Sequence, residues 1–303
     1  MNKDEFTNQE LLMDVGGRHK IWVMDWGNKS AKIPIVCLHG GPGSYHKDKH
    51  KQLFDPKKQR VIFFDQRGCG KSTPLGCRDH NTTDELAQDI TRIAKRLKIK
   101  KFYLNGYSWG STLALYYAIT YPEMLAGLVI GGVFSGSRDE IFKMFGLAKI
   151  FYPDLWEKVL ADTPTKYRDN PMLYHIDTAL NGSKEEQKKS AYVMDYLEGG
   201  MVALDDRSMP ETYDEFDPAS TQIELSYMAT NCFMPENHIL ENTGRITVPV
   251  YMVQGRFDMV CAPDFAYKLS KLIPNCKLYL TISNHASEHE NTSLLRAIFD
   301  ALS

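Results

Sequence analysis

The residue of this sequence best placed to act as a nucleophile is a serine between two glycines. Residues 106–110 read GYSWG and fit the pattern G-x-S-x-G, with Ser108 at the centre. A serine hydroxyl attacks a carbonyl carbon only when a neighbouring base takes its proton. The run KFYLN before this pattern predicts a strand and STLALYYAI after it predicts a helix, which is the setting of a nucleophile elbow. The alternative is a serine that caps a helix at a glycine-rich turn.

An acid and a histidine should follow such a serine in chain order, each on a loop after a strand. Asp258 comes after the run YMVQG, and His285 comes after LYLTIS. Asp264 is the alternative acid, but it stands at a predicted helix start, where an acid is ordinarily a cap. His289 is the alternative histidine, but it is expected on the surface of the last helix. The order and the strand ends favour a triad of Ser108, Asp258 and His285.

Acyl transfer also needs N–H groups that stabilise the oxyanion of the tetrahedral intermediate. One is expected from Trp109, the residue after the nucleophile. The other is expected from the loop LHGGPG, which follows the apolar run IPIVC, with Gly41 as the first candidate donor and Gly40 as the second. A plain turn is the alternative reading of this loop. Because both pieces follow predicted strands, they are expected at the same edge of one sheet.

These residues require a sheet whose strands end side by side. Short apolar runs bounded by glycines alternate with amphipathic helical segments, which predicts an α/β fold, a mostly parallel sheet with helices on both faces. From about 137 to 246 buried-strand runs are missing and the segments are helical in pattern. We therefore expect a core formed by residues 1–136 and 247–303, with residues 137–246 inserted as a helical cap.

The composition excludes several other classes of protein. The chain has 303 residues, 43% hydrophobic and 24% charged, and a formal net charge of −2, so neither a nucleic acid nor an anionic membrane is an expected partner. The polar N-terminus does not have the pattern of a signal peptide, and no apolar run has the length of a membrane span. The six cysteines are scattered along the chain, which predicts free thiols and a cytoplasmic protein.

Several motifs together resemble a known family. The stretches HGGPG (39–43), DQRGCGKSTP (65–74), SWGSTLAL (108–115) and GRFDMVCAP (255–263) are similar to those of the α/β-hydrolase superfamily, and within it of the proline iminopeptidases, serine peptidases that remove N-terminal proline. The resemblance implies that no metal or organic cofactor is needed. It also implies the same functional residues, with a triad and two oxyanion amides: Ser108, Asp258, His285, Gly41 and Trp109.

The chain departs from the family pattern beside two of these residues. Family members usually carry glycine immediately before the nucleophile, whereas this sequence has Tyr107, which is expected to narrow the pocket or reorient a substrate. The histidine normally follows a glycine, and here it follows Asn284. Tyr107 is therefore a candidate substrate-binding residue.

A third departure concerns the substrate's amino group. The family holds the free α-ammonium with a cap glutamate, and the segment YMATNCF is taken as its counterpart, with Ala229 in place of that glutamate. Burial of an ammonium group without a carboxylate is costly. Glu198, Glu224 and Glu236 are the candidates to compensate, against the alternative that each lies on a solvated helix face or caps a helix.

The sequence thus predicts a serine hydrolase that acts on a small peptide or an amino-acid-derived substrate and prefers N-terminal proline. An esterase or amino-acid amidase with altered cap specificity is the first alternative. A non-catalytic ligand-binding protein on the same fold is a more distant one. Epoxide hydrolase or dehalogenase chemistry would require aspartate at position 108 and is excluded by the serine.

Overall fold

A single eight-stranded sheet organises the chain. The computed structural model describes residues 6–202, 213–286 and 290–303. The strands are β1 (Phe6–Gly16), β2 (His19–Asn28), β3 (Ile35–Leu38), β4 (Arg60–Phe64), β5 (Phe102–Tyr107), β6 (Leu125–Gly131), β7 (Val250–Gly255) and β8 (Cys276–Thr281). Their spatial order is β1-β2-β4-β3-β5-β6-β7-β8; β1 and β2 are antiparallel neighbours and β3 to β8 run parallel.

The α-helices fall between the strands and after β6. They are α1 (Thr83–Arg96), α2 (Trp109–Thr120), α3 (Arg138–Phe151), α4 (Pro153–Ala161), α5 (Pro171–Asn181), α6 (Lys184–Val202), α7 (Ala219–Ala229), α8 (His238–Glu241), α9 (Pro263–Leu272) and α10 (Glu290–Ala301). Across the described ranges, no helix combines the length and the apolar character that a membrane crossing requires.

Both faces of the sheet are covered by helices. On one face, buried side chains of α1, α2 and α9, such as Leu86, Leu113 and Leu269, pack in the largest apolar cluster. On the other face, Phe54, which lies between β3 and β4, and Phe299 of α10 pack over the strands in a second cluster. A strand buried on both faces reads as an unbroken apolar run, which is why the core strands were recognisable in the sequence. The predicted α/β-hydrolase fold is confirmed.

The helices α3 to α8 lie between β6 and β7 in the chain. Side chains of α3 to α6 pack mainly on one another in a third apolar cluster. Helix α7 contacts both parts of the molecule, because Leu225 belongs to that cluster whereas Ile223 and Tyr227 pack in the core beneath it. Ser220 at its N-terminal end donates a hydrogen bond to the carbonyl of Gly43 at 2.8 Å. Helix α7 therefore joins helices α3 to α6 to the HGGPG loop.

Candidate active site

Ser108 lies at a strained turn between β5 and α2. Its backbone has φ 55° and ψ −128°, a region that residues other than glycine rarely adopt. The flanking glycines make this turn possible: a Cβ at Gly106 would lie 2.1 Å from the Gly110 carbonyl oxygen, and a Cβ at Gly110 would lie 2.4 Å from the Leu38 carbonyl oxygen. The turn has the geometry of a nucleophile elbow at the carboxyl edge of the sheet.

Asp258 is a buried carboxylate on the loop after β7. Its Oδ1 accepts the N–H groups of Val260 at 3.0 Å and Cys261 at 2.7 Å. Its Oδ2 accepts Nδ1–H of His285 at 2.8 Å. The carboxyl group is only 1% exposed, and hydrogen bonds to both oxygens replace the water that burial removes. Asp258 is thereby held in a fixed orientation against the imidazole.

His285 follows β8 and is positioned to act as a base. Because Nδ1 donates to Asp258, Nε2 is the nitrogen left to accept a proton. Burial lowers the pKa of His285, but the charge and the hydrogen bond of Asp258, with a further contribution from Glu198, outweigh it, so the pKa is raised overall. Ser108 and His285 both lie beside the end of β6, since Ser108 N–H donates to the Gly131 carbonyl at 3.0 Å and a Cβ at Gly132 would lie 3.0 Å from His285 Cε1.

The HGGPG loop approaches Ser108 directly. A Cβ at Gly40 would lie 3.4 Å from the Cβ of Ser108 and 3.9 Å from its Oγ. Gly41 has φ 103°, a conformation that favours glycine. Trp109 is the first residue of α2, and the N–H groups of a first helical turn have no acceptor within the helix. The two predicted sources of oxyanion donors, the HGGPG loop and the start of α2, therefore both lie next to the serine.

Gln66 connects the HGGPG loop to Trp109 at the start of α2, and the sequence analysis did not identify it. Its backbone N–H donates to His39 Nε2 at 2.9 Å and its Nε2 donates to the His39 carbonyl at 3.0 Å. Its Oε1 accepts the indole N–H of Trp109 at 2.9 Å. Burial lowers the pKa of His39 to about 4, so the imidazole remains a neutral acceptor. The position in the DQRG motif was the signal that could have identified Gln66.

Gln254, on β7, was also missed. It is fully buried, and its Nε2 donates to Asp258 Oδ2 at 3.1 Å and to the Cys261 carbonyl at 2.9 Å. Its Oε1 accepts the N–H of Val133 at 2.7 Å. An amide that donates to the acid and accepts from the chain after β6 fixes both elements. A polar side chain in an otherwise apolar strand was the available signal.

The three candidate glutamates lie at different places. Glu198, on α6, is half-buried, and its charge raises the pKa of His285 and adds to the effect of burial in raising that of Cys261, a thiol hydrogen-bonded with Ser108. Glu224, on α7, is also half-buried. The pKa of Cys232 is raised mainly by burial, and the charges of Glu224 and Glu236 raise it further.

Glu236 lies on the outside of the molecule. It accepts the N–H of Arg138 at 3.3 Å, and its Oε2 lies 4.0 Å from Arg138 Nε. Ala229 is likewise exposed, at the end of α7, where it lines an outer groove of about 460 Å³ between α3, α5 and α7. Among the three glutamates selected here from the sequence, Glu198 is the residue whose charge raises the pKa of His285.

The remaining candidates lie apart from the Asp258–His285 pair or beneath it. Asp264 is exposed at the start of α9 and forms an ion pair with Lys143. His289 lies outside the described residues. The ring of Tyr107 packs edge-on against His285, with centroids 5.4 Å apart.

Comparison with known proteins agrees with this fold. A profile described as the alpha/beta hydrolase fold matches residues 33–286. The "Probable proline iminopeptidase" of Leptolyngbya boryana is 35% identical over 97% of this chain and 92% of its own length. The proline iminopeptidase of Xylella fastidiosa (strain 9a5c) is 33% identical over 96% and 95%. The solved structure of proline iminopeptidase from Mycobacterium smegmatis shares the fold, with a TM-score of 0.60 over 97% of both chains at 20% identity. The chain therefore belongs to the alpha/beta hydrolase fold family and, within it, to the proline iminopeptidases, as its motifs predicted.

Proposed function

We propose that this hydrolase releases an N-terminal amino acid, preferably proline, from small peptides through an acyl-enzyme on Ser108. The observation that carries the proposal is the buried Asp258–His285 pair, whose Oδ2 and Nδ1 atoms lie 2.8 Å apart, at the sheet edge where Ser108 occupies its strained turn. Glu198 on α6 contributes to raising the pKa of His285, and a carboxylate there is suited to a substrate whose scissile carbonyl lies one carbon from a positive amino group. The relatives named proline iminopeptidases support the same substrate class.

In the proposed mechanism, His285 Nε2 takes the proton of Ser108 as its Oγ attacks the carbonyl carbon. The imidazolium that forms is stabilised by Asp258, which holds the Nδ1–H at 2.8 Å. The backbone N–H groups of Gly41 and Trp109 stabilise the oxyanion. His285 then protonates the leaving amine, and a water molecule activated by the same base releases the amino acid.

Glu198 is the proposed anchor for the substrate's α-ammonium group, with Glu224 as a second carboxylate contributed by α7. An ammonium group that leaves water needs a charged partner. In an exopeptidase this pairing also gives specificity, because a blocked amino terminus leaves the carboxylate desolvated and unpaired. The same pairing fixes the distance from the amino terminus to the bond that is cut.

The cytoplasm is the proposed compartment of this enzyme. The six cysteines all lie in described residues and are free thiols. Free thiols persist in a reducing environment, whereas secreted proteins generally pair them. A small peptide or amino-acid derivative is then the available substrate.

The test compares the wild-type protein with Ser108→Ala on five substrates: the anilides of proline, alanine and leucine, an N-acetylproline anilide and a short-chain ester. We expect hydrolysis of proline anilide to be fastest, its acetylated form to be stable, and Ser108→Ala to lose activity by a factor of about 10³ or more. Turnover of the ester alone would support the esterase alternative. A folded wild-type protein that turns over none of the five would support the ligand-binding alternative.

Two charge variants test the ammonium anchor. Glu198→Gln should raise KM for proline anilide by about tenfold or more, since a charge-assisted hydrogen bond is lost. Glu236→Gln is the matched control, because its carboxylate is exposed and pairs with Arg138. An unchanged KM in Glu198→Gln would contradict the assignment.

A further inference from the structure

The side chain of Tyr107 occupies a slot beneath the catalytic histidine. A Cβ at Gly131 or at Gly132 would lie 2.6 Å from carbons of the tyrosine ring, so the absence of side chains at these two positions creates the slot. On its other side the ring packs edge-on against the imidazole of His285, with an interplanar angle of 64°. The ring is thus enclosed between the end of β6 and the loop that carries the histidine.

The hydroxyl of Tyr107 is hydrogen-bonded to that loop. It donates to the backbone carbonyl of His285 at 2.7 Å and accepts the side-chain N–H of Asn291 at 3.3 Å. Burial, and secondarily the charge of Asp258, raises the pKa of Tyr107 above the ordinary range for tyrosine, so the hydroxyl keeps the proton that it donates.

Asn291 extends these contacts to the end of β8. It is 2% exposed on α10, and its Oδ1 accepts the hydroxyls of Thr281 at 2.5 Å and Ser283 at 3.1 Å. The loop from Thr281 to His285 is therefore held at both ends by hydrogen bonds that Asn291 and Tyr107 make. Buried networks whose members are satisfied rigidify the groups they contain.

We propose that Tyr107 is a positioning residue for the catalytic histidine: its hydroxyl holds the backbone of His285, and its ring limits the rotation of the imidazole. A base must lie within a few tenths of an ångström of its productive position, because misplacement reduces proton transfer. Asp258 holds one edge of the imidazole through Nδ1. Tyr107 holds the main chain from which the imidazole extends. The residue before the nucleophile thus acts on the base and not on the substrate.

The inference rests on the proposed roles of Ser108 and His285, and the experiment separates the two. Tyr107→Phe removes the hydroxyl and keeps the ring in its slot. Tyr103→Phe is the matched control, because Tyr103 lies on the same strand about 13 Å away and packs over Gly127 as Tyr107 packs over Gly131. Four quantities are measured for each variant: kcat and KM for proline anilide, the labelling rate of Ser108 by a fluorophosphonate, and the proton resonance of His285 Nδ1–H.

We expect Tyr107→Phe to lower kcat and the labelling rate by about 3- to 10-fold, the effect of one lost hydrogen bond, with KM changed less than about twofold. The Nδ1–H resonance should move in Tyr107→Phe and stay in place in Tyr103→Phe. A lowered Tm with kcat and the resonance unchanged would show a merely structural residue and overturn the inference.

The labelling arm identifies which proposal fails. Fluorophosphonate attack needs an activated Ser108 but no proline. A wild-type protein that is labelled yet does not cleave proline anilide would contradict the substrate, and the labelling rates of the two variants would still decide the role of Tyr107. A wild-type protein that is not labelled would overturn both proposals.

Discussion

The side-chain amide of Gln254 lies 3.1 Å from Asp258 Oδ2, the same oxygen that accepts the imidazole of His285. The two donors share one carboxylate oxygen, while backbone N–H groups occupy the other. Gln254 also accepts the N–H of Val133, the second residue after β6. One buried amide therefore connects the acid to the strand end beside which Ser108 lies.

Gln254→Leu should lower both catalysis and stability. The Asp258 carboxylate loses a donor, so its orientation toward His285 is less restricted and kcat should fall by about tenfold. The N–H of Val133 loses its acceptor, so the free energy of unfolding should fall by about 1–3 kcal/mol. Urea denaturation and steady-state kinetics measure the two effects. Gln222→Leu, on α7, is the control that should alter neither kcat nor KM by more than about twofold; equal effects of the two variants on kcat would contradict the prediction.

The acidic limb of kcat/KM should lie above the ordinary pKa of histidine. His285 must be neutral to accept the proton of Ser108, and its pKa is raised because the contributions of Asp258 and Glu198 exceed that of burial. Activity is therefore lost as pH falls through this raised value. Glu198→Gln removes one contribution that raises the pKa, so the limb should move to lower pH.

The charge variants are compared by pH–rate profiles between about pH 5 and 9. Glu236→Gln should leave the acidic limb in place, because Glu236 pairs with Arg138 at the surface. A limb that does not move in Glu198→Gln would mean that this carboxylate does not act on His285.

Three glycine-to-alanine variants should separate folding from catalysis at the elbow. Gly110→Ala places a methyl group 2.4 Å from the Leu38 carbonyl oxygen, a backbone atom, so little folded protein is expected. Gly40→Ala meets nothing nearer than 3.4 Å and should fold, but its methyl group lies 3.9 Å from Ser108 Oγ and should lower kcat.

Gly146→Ala is the control for these substitutions. Gly146 is exposed on α3 and no atom lies within 4 Å of the added Cβ, so alanine should raise stability by about 0.5–1 kcal/mol. Thermal unfolding and kcat/KM check all three variants. A Gly110→Ala protein that unfolds at the wild-type temperature would refute the close packing of the elbow.

Glu140→Gln should gain stability relative to the wild-type protein as pH rises. Glu140 is buried at the start of α3, where it accepts hydrogen bonds from Ser135 and Ser137, and burial raises its pKa to about 7. Between pH 4.5, the ordinary value, and 7, the folded state binds more protons than the unfolded one, so wild-type stability declines with rising pH.

The glutamine variant does not titrate and lacks this loss. The unfolding free energy of Glu140→Gln minus that of the wild type should grow across that window, by an amount on the order of 3 kcal/mol, and stay constant at higher pH. Urea denaturation at several pH values measures it. A difference independent of pH would mean that Glu140 ionises as readily in the folded protein as in the unfolded chain.

The sheet and the approximate site were predictable because local signals in the chain agree. Apolar runs identified the buried strands. Asp258 and His285 could be selected because each follows a strand, and parallel strands end at one edge. Glycines around Ser108 indicated a close approach of the backbone, and the structure has this close approach.

The direction of a side chain at the site was not predictable in the same way. Tyr107 was expected near the substrate because it adjoins Ser108 in sequence. Its ring instead packs against His285, because Gly131 and Gly132 at the end of the neighbouring strand β6 have no side chains and leave space for it. The glycines that accept the ring lie more than twenty residues further along the chain. No local pattern connects them to Tyr107.

The succession of strands and helices, the turn at Ser108 and the family could be predicted from the chain, because each depends on residues that are neighbours in it. The polar groups that support the site became apparent in the folded molecule. Gln66, Gln254 and Asn291 each join segments that are distant in sequence, through hydrogen bonds that form once the sheet has brought its strand ends together. A hydrogen bond depends on distances of a few tenths of an ångström, and such distances are set by packing and not by spacing along the chain.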